Sequence, residues 1–160
     1  MNQPRLVRIN WIGPFAPDKV PVNPEYDDNF GLYQIYGIHE VFGPQSLLYI
    51  GKAEHLSFAE RINQHLSNWL SSNSDAQVRL GLLHPKDYKH EPKDWSDWKQ
   101  LLRDTEALTI FWHTPPYNSR NISHYSGPTL RVQNFGQRGR LLPEFSTDWV
   151  PPKPMDSDEE

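Results

Sequence analysis

The chain has 160 residues, enough to bury one core, so a single globular domain with attached arms is the simplest expectation. It contains no cysteine, which excludes a disulfide framework and a thiolate metal site. Its net charge is −4, but four acidic residues stand in the last five positions, so the rest of the chain is close to neutral and can still carry a local basic face.

Residues 1–30 are predicted to form a proline-rich N-terminal arm. Proline interrupts a helix and lacks the backbone N–H that a central strand needs. The prolines of this segment are Pro4, Pro14, Pro17, Pro21 and Pro24. We therefore expect the arm to wrap around the domain.

Residues 31–120 show the pattern of a small α/β domain of the α+β type. Two β-prone runs on either side of a turn at residues 42–45 predict a hairpin. Ser57 and Glu60 form a capping-box pattern before a helix with apolar residues at spacings of three and four. Residues 77–83 alternate as a third strand, and a long second helix is expected to end before Pro115. The predicted fold is a small three-stranded, mainly antiparallel sheet flanked by helices, in the order strand, strand, helix, strand, helix.

Two triplets mark the predicted hairpin. The sequence GLY occupies residues 31–33, and the sequence YIG occupies residues 49–51, directly before Lys52. Taken alone, these triplets are better explained as ordinary half-buried strand tyrosines beside glycines.

Polar residues of the predicted helices complete the pattern. Arg61 and His65 lie four residues apart and therefore share one face of the first helix. Glu106 lies on the second helix, and Asn118 follows it in a PYN sequence at residues 116–118.

Together, these motifs over about residues 31–120 resemble the GIY-YIG nuclease family. The family includes excinuclease C-type repair enzymes, homing endonucleases and some restriction enzymes, and the spacing is most similar to the restriction-enzyme branch. Leu32 replaces the central isoleucine of the first triplet, which is a change of similar volume that a strand can accommodate.

The resemblance implies a metal-dependent DNA endonuclease that hydrolyses phosphodiester bonds with Mg²⁺, for which Mn²⁺ can substitute. Glu106 is the one acidic residue of the matched set and is expected to hold the cation. Tyr33 is the expected general base, and it needs a neighbour, His65 or Lys52, to lower its pKa or to accept its proton.

The remaining matched residues are expected to position the substrate. Arg61 can bind two phosphate oxygens, with a surface salt bridge as the alternative interpretation. Tyr49 can orient the attacking water or the scissile phosphate, because a hydroxyl both donates and accepts. Asn118 either braces the site or satisfies a turn after the prolines.

Residues 121–150 are predicted to form a basic and aromatic extension packed on this domain, and residues 151–160 a disordered acidic tail. Nucleic-acid contacts are expected from a stretch without acidic residues, at Arg131, Phe135, Arg138 and Arg140. A solvated loop is the alternative interpretation of this stretch.

DNA, single- or double-stranded, is the expected partner, and a homodimer is among the expected assemblies because enzymes that cut both strands often dimerise. Two other functions stay open: a non-catalytic nucleic-acid-binding module, and a protein-interaction factor that uses the arm and the tail. No apolar run approaches the length of a membrane span, and residues 1–11 lack the order of a secretory signal. We therefore expect a cytoplasmic protein without a membrane partner.

Overall fold

Six strands and two α-helices are found in residues 3–83 and 95–148, the part of the chain that the computed structural model describes. The strands are β1 (Arg5–Phe15), β2 (Gly31–His39), β3 (Gly43–Ala53), β4 (Gln77–Leu83), β5 (Leu130–Gly136) and β6 (Glu144–Ser146). The helices are α1 (Phe58–Leu66) and α2 (Trp95–His113).

All six strands join one sheet in the order β3-β2-β4-β1-β5-β6, so the predicted three-stranded sheet is wrong. The three predicted strands are β2, β3 and β4, and β2 pairs antiparallel with both of the others. The mixed α+β character agrees with the structure, and residues 31–113 follow the expected order strand, strand, helix, strand, helix. The sheet is larger than predicted because both flanking segments add strands to it.

The N-terminal segment contributes a central strand, which corrects the expectation that it forms only an arm. β1 pairs antiparallel with β4 and parallel with β5, so both of its edges are hydrogen-bonded. Pro4 precedes the strand, and Pro14 falls at a register irregularity between Ile12 and Phe15. The strand keeps its backbone donors between these two prolines, and the density of prolines elsewhere in the segment does not affect it.

Residues 121–150 also contribute to the sheet. β5 lies beside β1, and β6 pairs antiparallel with β5, which places Val132 opposite Phe145. Both side chains are buried. The acidic tail at residues 151–160, predicted to be disordered, lies outside the described residues.

The two faces of the sheet bury separate cores because successive strand residues point to opposite faces. On one face, Tyr33 packs with Phe58 and Ile62 of α1. On the other face, its neighbour Leu32 packs with Leu102 of α2. A residue's position along β2 or β3 therefore decides which helix its side chain meets.

The start of α1 confirms the predicted capping box. The Ser57 hydroxyl accepts the backbone N–H of Glu60 at 3.3 Å, and the Glu60 carboxylate accepts the backbone N–H of Ser57 at 2.7 Å. α2 ends at His113, before the two prolines, as predicted. No helix in residues 3–83 and 95–148 is both long enough and apolar enough to cross a membrane.

Candidate active site

The candidate site lies at β3, an edge strand of the sheet that pairs with β2. One helix packs on each face of the sheet. Tyr49 packs with the core under α1, whereas Ile50 packs with the core under α2. Side chains from both faces can therefore meet around the edge of this strand. They line a cleft of about 500 Å³ whose polar lining includes Tyr49, Lys52, Glu54, Arg61, Glu106 and Arg120.

Close approach explains the glycine in each triplet. Gly31 has a φ of +154°, and a Cβ there would lie 2.1 Å from the carbonyl oxygen of Gly81. Gly51 stands opposite Tyr33 across the hairpin, and a Cβ there would lie 2.4 Å from the Tyr33 hydroxyl oxygen. The first glycine lets strands approach, and the second makes room for the tyrosine that the site is built around.

Two side chains of α1 contact the hydroxyl of Tyr33. Nε2 of His65 lies 2.8 Å from it, and Nη2 of Arg61 donates to it at 3.4 Å. The ring of Tyr49 lies beside that of Tyr33, with centroids 6.1 Å apart. Because Arg61 and His65 share one face of α1, both reach the same oxygen.

Both tyrosines hold their protons strongly. Burial raises the pKa of Tyr33 far above its ordinary value, and Tyr49 adds to this effect, whereas the Arg61 charge opposes it. Burial also raises the pKa of Tyr49. Tyr33 is therefore protonated at neutral pH, and it can accept a proton from water only if it passes its own proton on.

Each ring nitrogen of His65 has a hydrogen-bond partner. The indole N–H of Trp69 donates to Nδ1 at 3.2 Å, while Nε2 faces Tyr33. The rings of Tyr49 and Trp69 pack edge-on against the imidazole, with centroids 4.9 Å and 5.7 Å away. Burial and the Arg61 charge lower the pKa of His65 to about 4. Trp69 was not predicted as a site residue, although its spacing of four from His65 is a signal that could have found it.

Glu106 reaches the cleft from α2 and is paired with Lys52. Nζ of Lys52 lies 3.1 Å from Oε2 of Glu106, whose side chain is 14% exposed. Burial raises the pKa of Glu106, and the Lys52 charge opposes that rise. Of the two candidate partners of Tyr33, the structure brings His65 to the phenol and places Lys52 on Glu106 instead.

A second carboxylate, Glu54, lines the same cleft and was missed in the sequence, where nothing marks it. Its two oxygens accept from Arg103, at 2.5 Å from Nη2 and 3.3 Å from Nε. This bidentate contact makes Glu54 less available to a cation than Glu106. Within the described parts of the chain, no group of three or more His, Cys, Asp or Glu side chains could hold a metal ion.

Asn118 braces the edge strand. Its Oδ1 accepts the backbone N–H of Ile50 at 2.9 Å, and its Nδ2 donates to the Ile50 carbonyl at 2.8 Å. The neighbouring backbone N–H of Tyr117 donates to the carbonyl of Leu48 at 2.9 Å. These contacts support the bracing role for Asn118 over the turn role.

The predicted nucleic-acid contacts do not line this cleft; they are Arg131, Phe135, Arg138 and Arg140. Arg131 forms an ion pair with Glu144, and the guanidinium of Arg138 donates to the carbonyl of Leu141 in its own loop. Phe135 and Arg140 are exposed. The structure therefore gives two of the three arginines internal partners and places none of the four residues in the lining of the cleft.

The chain matches no protein-family model, no curated protein and no solved structure. A function is therefore inferred from the motif spacing and from the geometry of the cleft.

Proposed function

We propose that this chain is a metal-dependent DNA endonuclease that hydrolyses phosphodiester bonds in the cleft beside β3. The observation that carries the proposal is the set of contacts that joins two tyrosines, an arginine, a neutral histidine and a carboxylate at one cleft. Tyr49, Arg61 and Glu106 line the cleft, and Tyr33 and His65 adjoin them through contacts with Arg61 and Tyr49. Phosphodiester hydrolysis needs an activated water, stabilisation of the phosphate charge and a bound cation, and this set has a group for each task.

The donor set in the cleft fits Mg²⁺, with Mn²⁺ as a substitute. Mg²⁺ is commonly bound through one or two carboxylates and takes its remaining ligands from water and substrate phosphate. Glu106 offers one such carboxylate at the edge of a cleft of about 500 Å³. A cation held by Glu106 would polarise a phosphate oxygen and would compete with Lys52 for that carboxylate.

Arg61 binds the phosphate and, by moving, prepares Tyr33. Its guanidinium contacts Gln64 at 2.5 Å and Tyr33 at 3.4 Å, and it can exchange both contacts for phosphate oxygens. Its departure frees a lone pair on the Tyr33 oxygen, which can then accept a proton from the attacking water. Tyr33 releases its own proton toward the neighbouring Tyr49, whose hydroxyl can accept it and release its own proton into the cleft that it lines.

The test is incubation of supercoiled plasmid, linear duplex and single-stranded DNA with Mg²⁺ or Mn²⁺, with EDTA as the control. The Glu106→Gln protein, purified in parallel, reports any contaminating nuclease. Cation-dependent cleavage that is lost in this variant supports the proposal. DNA binding without cleavage under every condition would replace it with the non-catalytic binding module.

DNA as the partner and a cytoplasmic location belong to the same proposal. A chain without cysteine needs no oxidising compartment to fold, which suits a reducing one where DNA is accessible. Failure to bind any DNA at low salt would leave the protein-interaction factor as the remaining hypothesis, since phosphate contacts are strongest at low salt.

A further inference from the structure

We propose that Trp69 is a positioning residue that holds His65 as the Nε2–H tautomer, so that His65 donates a hydrogen bond to Tyr33 and does not take its proton. The importance of this tautomer for catalysis rests on the proposed function. The tautomer itself is a property of the folded chain and can be measured without any substrate.

The indole determines which nitrogen of His65 carries the proton. An indole N–H can only donate, and it lies 3.2 Å from Nδ1 of the imidazole. Nδ1 must therefore present its lone pair. A neutral imidazole has a single N–H, so that hydrogen lies on Nε2, the nitrogen 2.8 Å from the Tyr33 hydroxyl.

The imidazole is neutral at neutral pH because no side chain packed against it, among the described residues, favours a positive charge. Its neighbours are the phenols of Tyr33 and Tyr49, the indole of Trp69 and the guanidinium of Arg61. The first three are uncharged and the fourth is positive. Burial and this positive charge keep the pKa of His65 near 4.

The tautomer decides where the proton of Tyr33 can go. The Tyr33 oxygen accepts from Nε2 of His65 at 2.8 Å and from Arg61 at 3.4 Å, which leaves its own proton to be donated elsewhere; Tyr49 is the neighbouring phenol, with ring centroids 6.1 Å apart. Hydrogen bonds donated to a phenol stabilise its phenolate form. His65 thus makes Tyr33 a stronger acid without acting as a base, and the proton of Tyr33 must leave by a route other than His65.

His113 supplies an internal reference with the opposite tautomer. Its Nδ1 lies 2.7 Å from the carbonyl oxygen of Thr109, which can only accept, so Nδ1 carries the hydrogen. Its Nε2 accepts the backbone N–H of Leu142 at 2.9 Å. Burial lowers the pKa of His113, so both histidines are neutral at neutral pH.

The experiment is a long-range ¹H–¹⁵N NMR correlation on the full chain labelled with ¹⁵N-histidine, at neutral pH and without DNA or metal. The two rings are assigned by the signals lost in His65→Gln and in His113→Gln. We expect an unprotonated Nδ1 and a protonated Nε2 for His65, and the reverse for His113. A proton on Nδ1 of His65 would overturn the proposal.

Two matched variants test the role of the indole. Trp69→Phe keeps an aromatic ring and removes the N–H, whereas Trp112→Phe removes an N–H that donates to the carbonyl of Ser146 at 3.2 Å. We expect only Trp69→Phe to shift His65 toward the Nδ1–H form and to slow DNA cleavage by about tenfold or more. Unchanged His65 signals in a folded Trp69→Phe protein would reject the role of the indole. If this variant does not fold, the wild-type spectrum alone decides. The expected tautomer in a wild-type protein that cuts no DNA would support this inference and reject only the nuclease.

Discussion

Lys52 and Glu106 form an ion pair of 3.1 Å that joins the edge strand β3 to helix α2. Burial, and to a smaller extent the charge of Glu54, raises the pKa of Glu106, and the ammonium group of Lys52 opposes that rise. A divalent cation that binds Glu106 competes with Lys52 for the same carboxylate. The affinity of Glu106 for a cation therefore depends on whether Lys52 is paired with this carboxylate.

Glu106→Gln separates DNA binding from cleavage. Glutamine keeps nearly the same shape but lacks the negative charge that a divalent cation requires. We expect folding and DNA affinity to persist and cleavage to stop, as measured on one preparation by thermal denaturation, a DNA-binding titration and a plasmid assay. Undiminished cutting at limiting Mg²⁺ would contradict the metal assignment, and loss of folding would show that Glu106 is structural.

Lys52→Met should tighten metal binding, because it keeps the apolar stem and removes the competing ammonium. Loss of a competing ion pair worth about 1 kcal/mol should lower the Kd for Mn²⁺ roughly fivefold. The Kd is measured by calorimetry at pH 8. Lys19→Met is the matched control, since Lys19 is exposed and does not line the cleft. Equal or weaker Mn²⁺ binding by Lys52→Met would show that the two cations do not compete.

Arg61→Ala should abolish cleavage without unfolding the chain. A charge that stabilises the transition state contributes about 3 to 4 kcal/mol, so the rate should fall by a factor of about 10²–10³. Gln64→Ala is the control, because Gln64 contacts the guanidinium at 2.5 Å and is exposed. An Arg61→Ala protein that cuts as fast as Gln64→Ala removes Arg61 from the mechanism.

His65 should make the fold less stable in acid. Its pKa falls from 6.5 in the unfolded chain to about 4 in the folded one, so the unfolded chain binds the proton first. The stability that the neutral ring provides is complete above pH 6.5 and is lost as the pH falls toward about 4. When the pH is lowered from 7 to 5, the Tm of the His65→Gln protein should therefore fall less than the Tm of the wild type. His124→Gln, a change at an exposed histidine, should behave as the wild type does; equal pH slopes for all three proteins would refute the lowered pKa.

Gly51→Ala should displace Tyr33. The new Cβ would lie 2.4 Å from the Tyr33 hydroxyl oxygen and 2.8 Å from Cε1 of Tyr49. Overpacking of this kind costs about 1–3 kcal/mol, measurable by chemical denaturation, and cleavage should be lost because the hydroxyl moves. The double variant Gly51→Ala/Tyr33→Ala should be less destabilised than the sum of its parts. Strict additivity would mean that the two residues do not compete for space.

Local patterns were sufficient for the middle of the fold but not for its ends. The capping box at Ser57 and the boundary of α2 depend on neighbours a few residues apart, which periodicity reports directly. β1 was missed because five prolines in thirty residues obscured a proline-free run in which Val7, Ile9 and Trp11 alternate with polar or exposed positions. Its parallel pairing with β5 joins residues more than a hundred positions apart, and no local pattern encodes such contacts.

The residues of the candidate site could be grouped from the sequence only where they lie close together along the chain. Arg61 and His65 could be placed together because a spacing of four fixes one helix face, and the same rule would have added Trp69. Lys52 and Glu106 are 54 positions apart and meet only because β3 carries one and α2 the other. Their pairing depends on how the helix packs across the sheet, which spacing along the chain cannot supply.

The brace formed by Tyr117 and Asn118 has a consequence for self-association. An uncovered edge strand can pair with the same strand of another molecule and extend the sheet from one chain into the next. Here the outward backbone groups of Ile50 and the carbonyl of Leu48 already bond to this loop. A dimer built by continuing the sheet through β3 would have to strip the loop away and dismantle one wall of the cleft. A two-chain form that retains the cleft must therefore use another surface.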